Sequence, residues 1–284
     1  MPPESSPRPL CAGIYIVATP IGNLNDISFR AENVLKNADL VAAEDTRVTG
    51  KLLKHIGAAT PMQRYDDHAT EAVRARLIER AAHEAVALVT DAGTPLIADP
   101  GYRLVSEARA ADIAITSIPG PVAFVTALTL AGLPTDRVMF AGFAPPKAKA
   151  RADALNELAS LRATLVFYES GPRLARFLAA AADALGDRRA VVARELTKLY
   201  EEIRDGTLAG LAAHYEADGA PKGEIVVVIS PPAAQPAPSE ADLDAALSLA
   251  MAETSLKSAV RDVTDRLGLP RAAVYARALA LKDR

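Results

Sequence analysis

From residue 13 to residue 131 the chain alternates short β-type runs with amphipathic helical stretches, and several of the runs end in Gly/Pro turns. That alternation is the pattern of an α/β protein. Strands are expected at 13–18 (GIYIVA), 40–43, 86–90 (VALVT) and 113–118. Helices are expected at 27–37, through Lys51 and Ile56, at 71–83, at 101–111 and at 122–131. The turns are Thr19-Pro20-Ile21-Gly22-Asn23, Asp91-Ala92-Gly93-Thr94-Pro95 and Pro119-Gly120-Pro121. Open α/β sheets bind ligands beyond the carboxyl ends of their strands, so a site is expected at these turns.

A second, less regular series follows Gly132-Leu133-Pro134, with strands expected at 138–143, 164–168, 191–194 and 224–229 and helices at 151–161, 173–185 and around 208–215. Two α/β lobes, 12–132 and 133–230, are therefore expected. Residues 231–239 (PPAAQPAPS) read as an extended Pro/Ala linker. The tail, 240–284, changes character: residues 239–254 hold four acids and no base, whereas residues 256–284 hold seven bases against three acids. Leu267-Gly268-Leu269-Pro270 breaks the tail with helix-turn-helix spacing, and a second helix is expected from Arg271 to Leu281. It reads either as a helical hairpin packing on the body or on a second copy, or as a nucleic-acid contact through Arg271 and Arg277.

Composition bounds the class without naming it. The 284 residues are 50% hydrophobic and 24% charged, which suits a folded chain with sizeable cores. A net charge of -3 gives no global positive field toward nucleic acid, although a local basic face would suffice. One cysteine, Cys11, can make neither an internal disulfide nor a cysteine-based metal site, and fits a reducing, cytoplasmic setting. No signal-peptide or membrane-spanning run is read. There is no Gly-x-Gly, no GxxxxGK[ST], no HExxH and no GxSxG, so the common dinucleotide, P-loop, zincin and serine-hydrolase signatures are all missing.

What remains is a set of low-bulk loops. The run DAGTPLIADPG (91–101) holds two carboxylates, and Ile118-Pro119-Gly120-Pro121 is a tight turn. Singly these are ordinary strand-to-helix connections; together they describe an apolar crevice lined by backbone polar groups, suited to an adenine or a thioether more than to a polyanion. The strand-end clusters Glu44-Asp45-Thr46-Arg47 and Arg194-Glu195-Leu196-Thr197-Lys198 read either as ion-pair networks or as groups that orient a ribose or a phosphate or supply a general base. Tyr168, in FYES (167–170), either stacks on a base or fills the seam between the lobes.

Taken in order, ATPIGNL (18–24) with Asp26 and Arg30, EDTR (44–47), DAGTPLIADPG, IPGP (118–121), FAGF (140–143), FYES with Arg173, RELTK (194–198) with Glu201, and Lys222-Gly223-Glu224 resemble the 16S rRNA cytidine 2'-O-methyltransferases of the tetrapyrrole methylase superfamily. The resemblance covers about residues 12–230, and the basic tail is similar to that family's C-terminal helical appendage. It implies two α/β lobes of the tetrapyrrole methylase type with S-adenosylmethionine (SAM) between them, no metal, a homodimer, and 16S rRNA of the small subunit as partner. By position it implies SAM contacts at Pro20, Asp91, Gly93, Pro95, Ile97, Ala98, Ser117, Pro119, Gly120, Ala123, Phe143, Tyr168 and Leu196. Glu44, Asp45 and Arg47 become the favoured catalytic cluster among several candidate bases that include Asp26, Glu169, Glu195 and Lys198. Arg30, Arg173 and Lys198, with Arg271 and Arg277 of the tail, become the RNA contacts. A porphyrinogen C-methyltransferase and a non-catalytic rRNA-binding assembly factor remain as alternatives.

Overall fold

A computed structural model describes residues 9–233 and 239–282; most of the Pro/Ala segment and Arg284 lie outside the described residues. The first series forms a five-stranded sheet from β1 (Gly13–Val17), β2 (Leu40–Ala43), β3 (Met62–Arg64), β4 (Ala85–Val89) and β5 (Ile115–Ile118), in the order β3-β2-β4-β1-β5. All its pairings are parallel. A parallel sheet is covered on both faces, which is why β2 and β4 read as unbroken apolar runs. Side chains alternate between two cores. Val17, Val41, Ala43, Ala87 and Val89 meet Val34 and Leu35 of α1 (Phe29–Asn37) and Leu52, Leu53 and Ile56 of α2 (Thr46–Ile56). Ile14, Leu40, Ala42, Val86 and Leu88 meet Leu77 of α3 (Glu71–Ala81) and Leu104 and Ala108 of α4 (Tyr102–Ala110).

The second sheet has the order β6-β7-β10-β8-β9, built from β6 (Val138–Phe143), β7 (Thr164–Ser170), β8 (Arg189–Arg194), β9 (Glu202–Thr207) and β10 (Glu224–Ile229). Only β6 and β7 run parallel. One face packs on α6 (Ala148–Glu157), α7 (Gly171–Leu185) and α8 (Leu208–Asp218), with Phe167, Val192 and Val227 against Leu155, Phe177 and Leu211. The other face, Val166, Val191, Val226 and Val228, packs on Ala127, Leu128 and Ala131 of α5 (Ala123–Ala131). Helix α5 closes the first β-α series in the chain, yet it buries its apolar surface on the second sheet, which ties the two sheets into one unit that ends at Pro232.

In the unit from residue 233 onward the described residues form three helices, α9 (Glu240–Glu253), α10 (Leu256–Leu267) and α11 (Arg271–Lys282), around Leu247, Val260, Val263 and Val274. Ser239 and Asp242 form a capping box at the start of α9, Ser255 caps α10, and Gly268 ends α10 in the left-handed conformation. The Ser255 cap divides into two helices the stretch that precedes the Gly268 turn. No helix among the described residues is long and apolar enough to cross a membrane.

Candidate active site

The loops after β1, β4 and β5 converge where the chain's order across the first sheet reverses. Thr19 and Gly93 form an isolated antiparallel bridge there, and the Thr94 hydroxyl donates to the Pro121 carbonyl at 3.0 Å. Facing them, the end of β6, the end of β7, the start of β10 and the loop after β8 close a cleft of about 320 Å³, within the range of small-ligand sites.

The second-sheet wall depends on a β-bulge. Register shifts between Phe140 and Gly142, and Gly142 sits at φ +63°. The extra residue turns both Phe140 and Phe143 toward Tyr168, with ring centroids 4.9 and 5.5 Å away; regular alternation would send them to opposite faces. The Tyr168 hydroxyl accepts the Phe124 N–H at 3.3 Å, beside an N-cap, Val122, that has no capping side chain. Backbone strain collects at the rim. Leu96, Ala98, Glu195 and Thr197 are four of the five non-glycine residues at positive φ among those described, each such residue costing about 1 kcal/mol or more.

The lining carries five carboxylates, Glu44, Asp91, Asp99, Glu169 and Glu224, and neither lysine nor arginine. Glu169 is 3% exposed; its Oε1 accepts the Ser170 N–H at 2.8 Å and lies 3.1 Å from Arg173 Nε, while its Oε2 is buried with no partner. Asp91 N–H donates to Glu44 Oε2 at 3.3 Å, and Asp45 N–H donates to Asp91 Oδ1 at 3.1 Å. Burial, then repulsion from Asp91, Asp67 and Asp66, raises the Glu44 carboxyl above its ordinary range, against the Asp91 N–H. Burial and repulsion from Glu44 push the Asp99 carboxyl up to about 7, partly offset by the nearby Thr90 hydroxyl. Two apolar walls, unpaired carboxylate oxygen and no cation suit a ligand with an adenine and positive charge, as SAM has in its sulfonium and ammonium groups, and disfavour a polyphosphate.

Among the implied SAM contacts, Asp91, Gly93, Ile97, Ala98, Ala123, Phe143, Tyr168 and Leu196 line this cleft. Pro20 and Pro95 are buried outside the lining, and Ser117, Pro119 and Gly120 are exposed at the end of β5. Of the expected catalytic cluster only Glu44 reaches the cleft. Asp45 instead caps α2, accepting the Arg47 N–H at 2.8 Å and pairing with the Arg47 guanidinium, which holds its carboxyl far below the usual range. Arg30 is exposed on α1. Arg173 also donates to the Ala144 carbonyl, Lys198 bridges Glu195 and Glu224 at 2.8 Å each, and Arg277 is held by Asp244 at 2.5 and 2.7 Å. These three cations would have to exchange partners to meet a phosphate, whereas Arg271 is exposed. Asp99 and Glu169 had signals in the sequence, as the second carboxylate of the 91–101 loop and the acid of FYES; the Ile225 and Val226 lining had none beyond their strand.

Residues 13–212 match the tetrapyrrole (corrin/porphyrin) methylases, and residues 237–282 match the RsmI C-terminal HTH domain. The chain is 51% identical to the ribosomal RNA small subunit methyltransferase I of Erythrobacter litoralis over 98% of this chain and 99% of that one. It is 47% identical to the protein of the same name from Mesorhizobium japonicum, over 99% and 96%, and 44% identical to that of Escherichia coli O157:H7, over 94% of each. Among solved structures, a cobalt precorrin-4 methyltransferase of cobalamin biosynthesis matches with TM-score 0.57 at 18% identity, over 80% of this chain and 98% of that one. A uroporphyrin-III C-methyltransferase from Thermus thermophilus matches with TM-score 0.55 at 22% identity, over 76% and 94%. These two likenesses speak for the fold alone.

Proposed function

Because the chain belongs to the tetrapyrrole methylase family, and within it groups with the ribosomal RNA small subunit methyltransferases I, we propose that it methylates small-subunit rRNA at the 2'-oxygen of a cytidine ribose, using SAM. One observation carries the cofactor assignment: a cleft with two apolar walls and five carboxylates but no cation. When bound there, SAM supplies an electrophilic methyl group on sulfonium sulfur. The protein's task is alignment. Phe143 and Tyr168 offer flat apolar surface, the 91–98 loop brings backbone groups close, and the unpartnered Glu169 Oε2 offers an acceptor to an ammonium or hydroxyl donor. Glu44 holds the Asp91 loop through its N–H.

Of the carried-over RNA contacts, Arg30 and Arg271 are exposed, with Arg173, Lys198 and Arg277 available on exchange of partners. A homodimer fits the exposed Phe29, Leu199 and Tyr200, which are 93%, 88% and 69% accessible. The segment leading into α1 and the loop carrying Leu199 and Tyr200 adjoin, since Asn23 N–H donates to Thr197 Oγ1 at 3.1 Å, and a second copy would cover all three side chains. A small-subunit rRNA substrate fits a cytoplasmic setting. The test is mass mapping of 16S rRNA from cells with and without the gene. A single ribose-methylated cytidine lost on deletion is expected; an unchanged map overturns the proposal.

A further inference from the structure

A second cavity, of about 280 Å³, lies beside the cleft and is lined by residues that include Tyr65, Asp67, Arg74, Tyr102 and Arg103. Asp99 is the one residue common to the two linings. The loop carrying it is built to place it there. Leu96 and Ala98 turn the chain at positive φ, and Gly101, at φ +132°, turns it into α4; a Cβ at Gly101 would come within 3.0 Å of Leu96 and 3.2 Å of Leu88. Helix α4 then begins with Tyr102, 75% exposed, and the exposed Arg103, for which no ion pair occurs among the described residues.

The two cavities differ in their cations. The first lining contains none, whereas the second sets the exposed Arg103 and Arg74, nine-tenths buried with Nε 2.7 Å from Glu107, among the carboxylates Asp66, Asp67 and Asp99. An exposed aromatic ring beside an unpaired guanidinium is the pairing that takes an unstacked nucleotide, ring on base and cation on phosphate. We propose that the second cavity receives the target nucleotide, stacked on Tyr102 with its phosphate at Arg103, and that Asp99 accepts the proton of its ribose hydroxyl. This rests on the ribose-methylation reading above. As the ribose oxygen bonds to the methyl carbon, the methyl–sulfur bond breaks with its electron pair left on sulfur. The hydroxyl proton passes to the Asp99 carboxylate and from there to water. Glu44, Asp91 and Asp67 face Asp99 as like charges, Tyr168 stands on its cleft side, and the Thr90 hydroxyl lies near it. These repulsions favour proton uptake at the moment the hydroxyl loses its proton.

The test compares the wild type with Asp99→Asn, Asp99→Glu and Tyr102→Ala. SAM affinity is read by calorimetry without RNA, small-subunit RNA affinity by filter binding without SAM, and turnover across pH. Asp99→Asn is expected to lower kcat by about 10²–10⁴-fold, far more than it weakens SAM or RNA binding. Wild-type kcat is expected to fall as pH drops below about 7, with that limb absent in Asp99→Asn and restored, shifted, in Asp99→Glu. Tyr102→Ala is expected to weaken RNA binding by about 5–100-fold and leave SAM binding alone. Wild-type kcat and the acid limb surviving in Asp99→Asn, or unchanged RNA affinity in Tyr102→Ala, overturns the inference alone. A wild-type protein that leaves ribose in small-subunit rRNA unmethylated overturns the reading beneath it as well.

Discussion

Thr19 and Gly93 exchange both main-chain hydrogen bonds, at 2.8 and 3.0 Å, just beyond the ends of the neighbouring parallel strands β1 and β4. The strands run parallel, so this antiparallel pairing exists only because both loops turn back on themselves. The Thr19 hydroxyl adds a contact to the Thr90 carbonyl at 3.3 Å. Two turns separated by more than seventy residues thus become one rigid floor.

A side chain at Gly93 should break that floor. Gly93 sits at φ +82°, and its Cβ would lie 3.4 Å from Ile21 Cγ2. Gly93→Val is expected to cost about 1–2 kcal/mol in backbone strain and to weaken SAM binding by ten-fold or more, about 1.4 kcal/mol. Gly120→Val is expected to act in the same direction, because its Cβ would come within 2.9 Å of Ala18 Cβ and push the β5 turn off β1. Isothermal calorimetry checks both, and unaltered affinity in either variant removes that turn from the cofactor site.

Tyr168 joins two functions that a pair of substitutions separates. Tyr168→Phe removes the acceptor for the Phe124 N–H and is expected to cost about 1 kcal/mol, leaving SAM affinity nearly unchanged. Tyr168→Ala also removes the ring that Phe140 and Phe143 pack against, and is expected to weaken SAM binding as the aromatic wall collapses. Denaturant midpoints and calorimetry on the two variants distinguish capping from wall. Equal SAM affinity in both would take the ring out of the site.

The first sheet was largely legible because β2 and β4 are apolar throughout and their loops carry glycine and proline. Edge strands β3 (MQR) and β9 (EIRDGT) were not, since a strand with one partner keeps polar side chains and lacks the period that marks burial. Helix α6 begins at Ala148, three residues ahead of the Arg151 start that its sequence suggests, because its first turn, Ala148 to Ala150, has no side-chain cap to mark it. Within the site, motif position pointed to Gly93 and Tyr168, which line the cleft, but EDTR left open whether its charges pair with one another or serve the reaction, and the structure commits the Asp45 carboxylate to the helix start and Arg47. That allocation follows from the N-cap geometry of α2, a three-dimensional fact. The Phe143 orientation likewise hangs on the bulge before Gly142.

Asp99 should make stability depend on pH. Its carboxyl titrates near 7 in the fold and near about 4 in an unfolded chain, so between those values the folded state binds more protons. Stability is then fully present below about pH 4 for this group and falls as pH rises toward 7. Asp99→Asn removes the penalty, and with the carboxyl partly exposed to solvent it is expected to stabilise by about 1–2 kcal/mol at pH 8 with little change at pH 4. Urea midpoints at the two pH values check the difference; equal effects at both would mean that the site does not strain the charged carboxylate.

The helical unit at residues 239–282 offers two arginines with different roles. Arg277 joins α11 to Asp244 of α9, so Arg277→Ala is expected to destabilise that unit. Arg271 is exposed at the start of α11, so Arg271→Ala should leave stability alone and lower the salt slope of RNA binding by about 0.9, the share of a single phosphate neutralised. Every residue lining the cleft lies between Ile21 and Val226, so deleting 239–284 is expected to spare SAM binding while impairing methylation of small subunits. Salt-dependent binding isotherms and single-turnover assays on the three variants decide the matter. Full turnover by the deletion variant would assign the tail a purely structural role, and an unchanged slope in Arg271→Ala would move the RNA contact elsewhere on the chain.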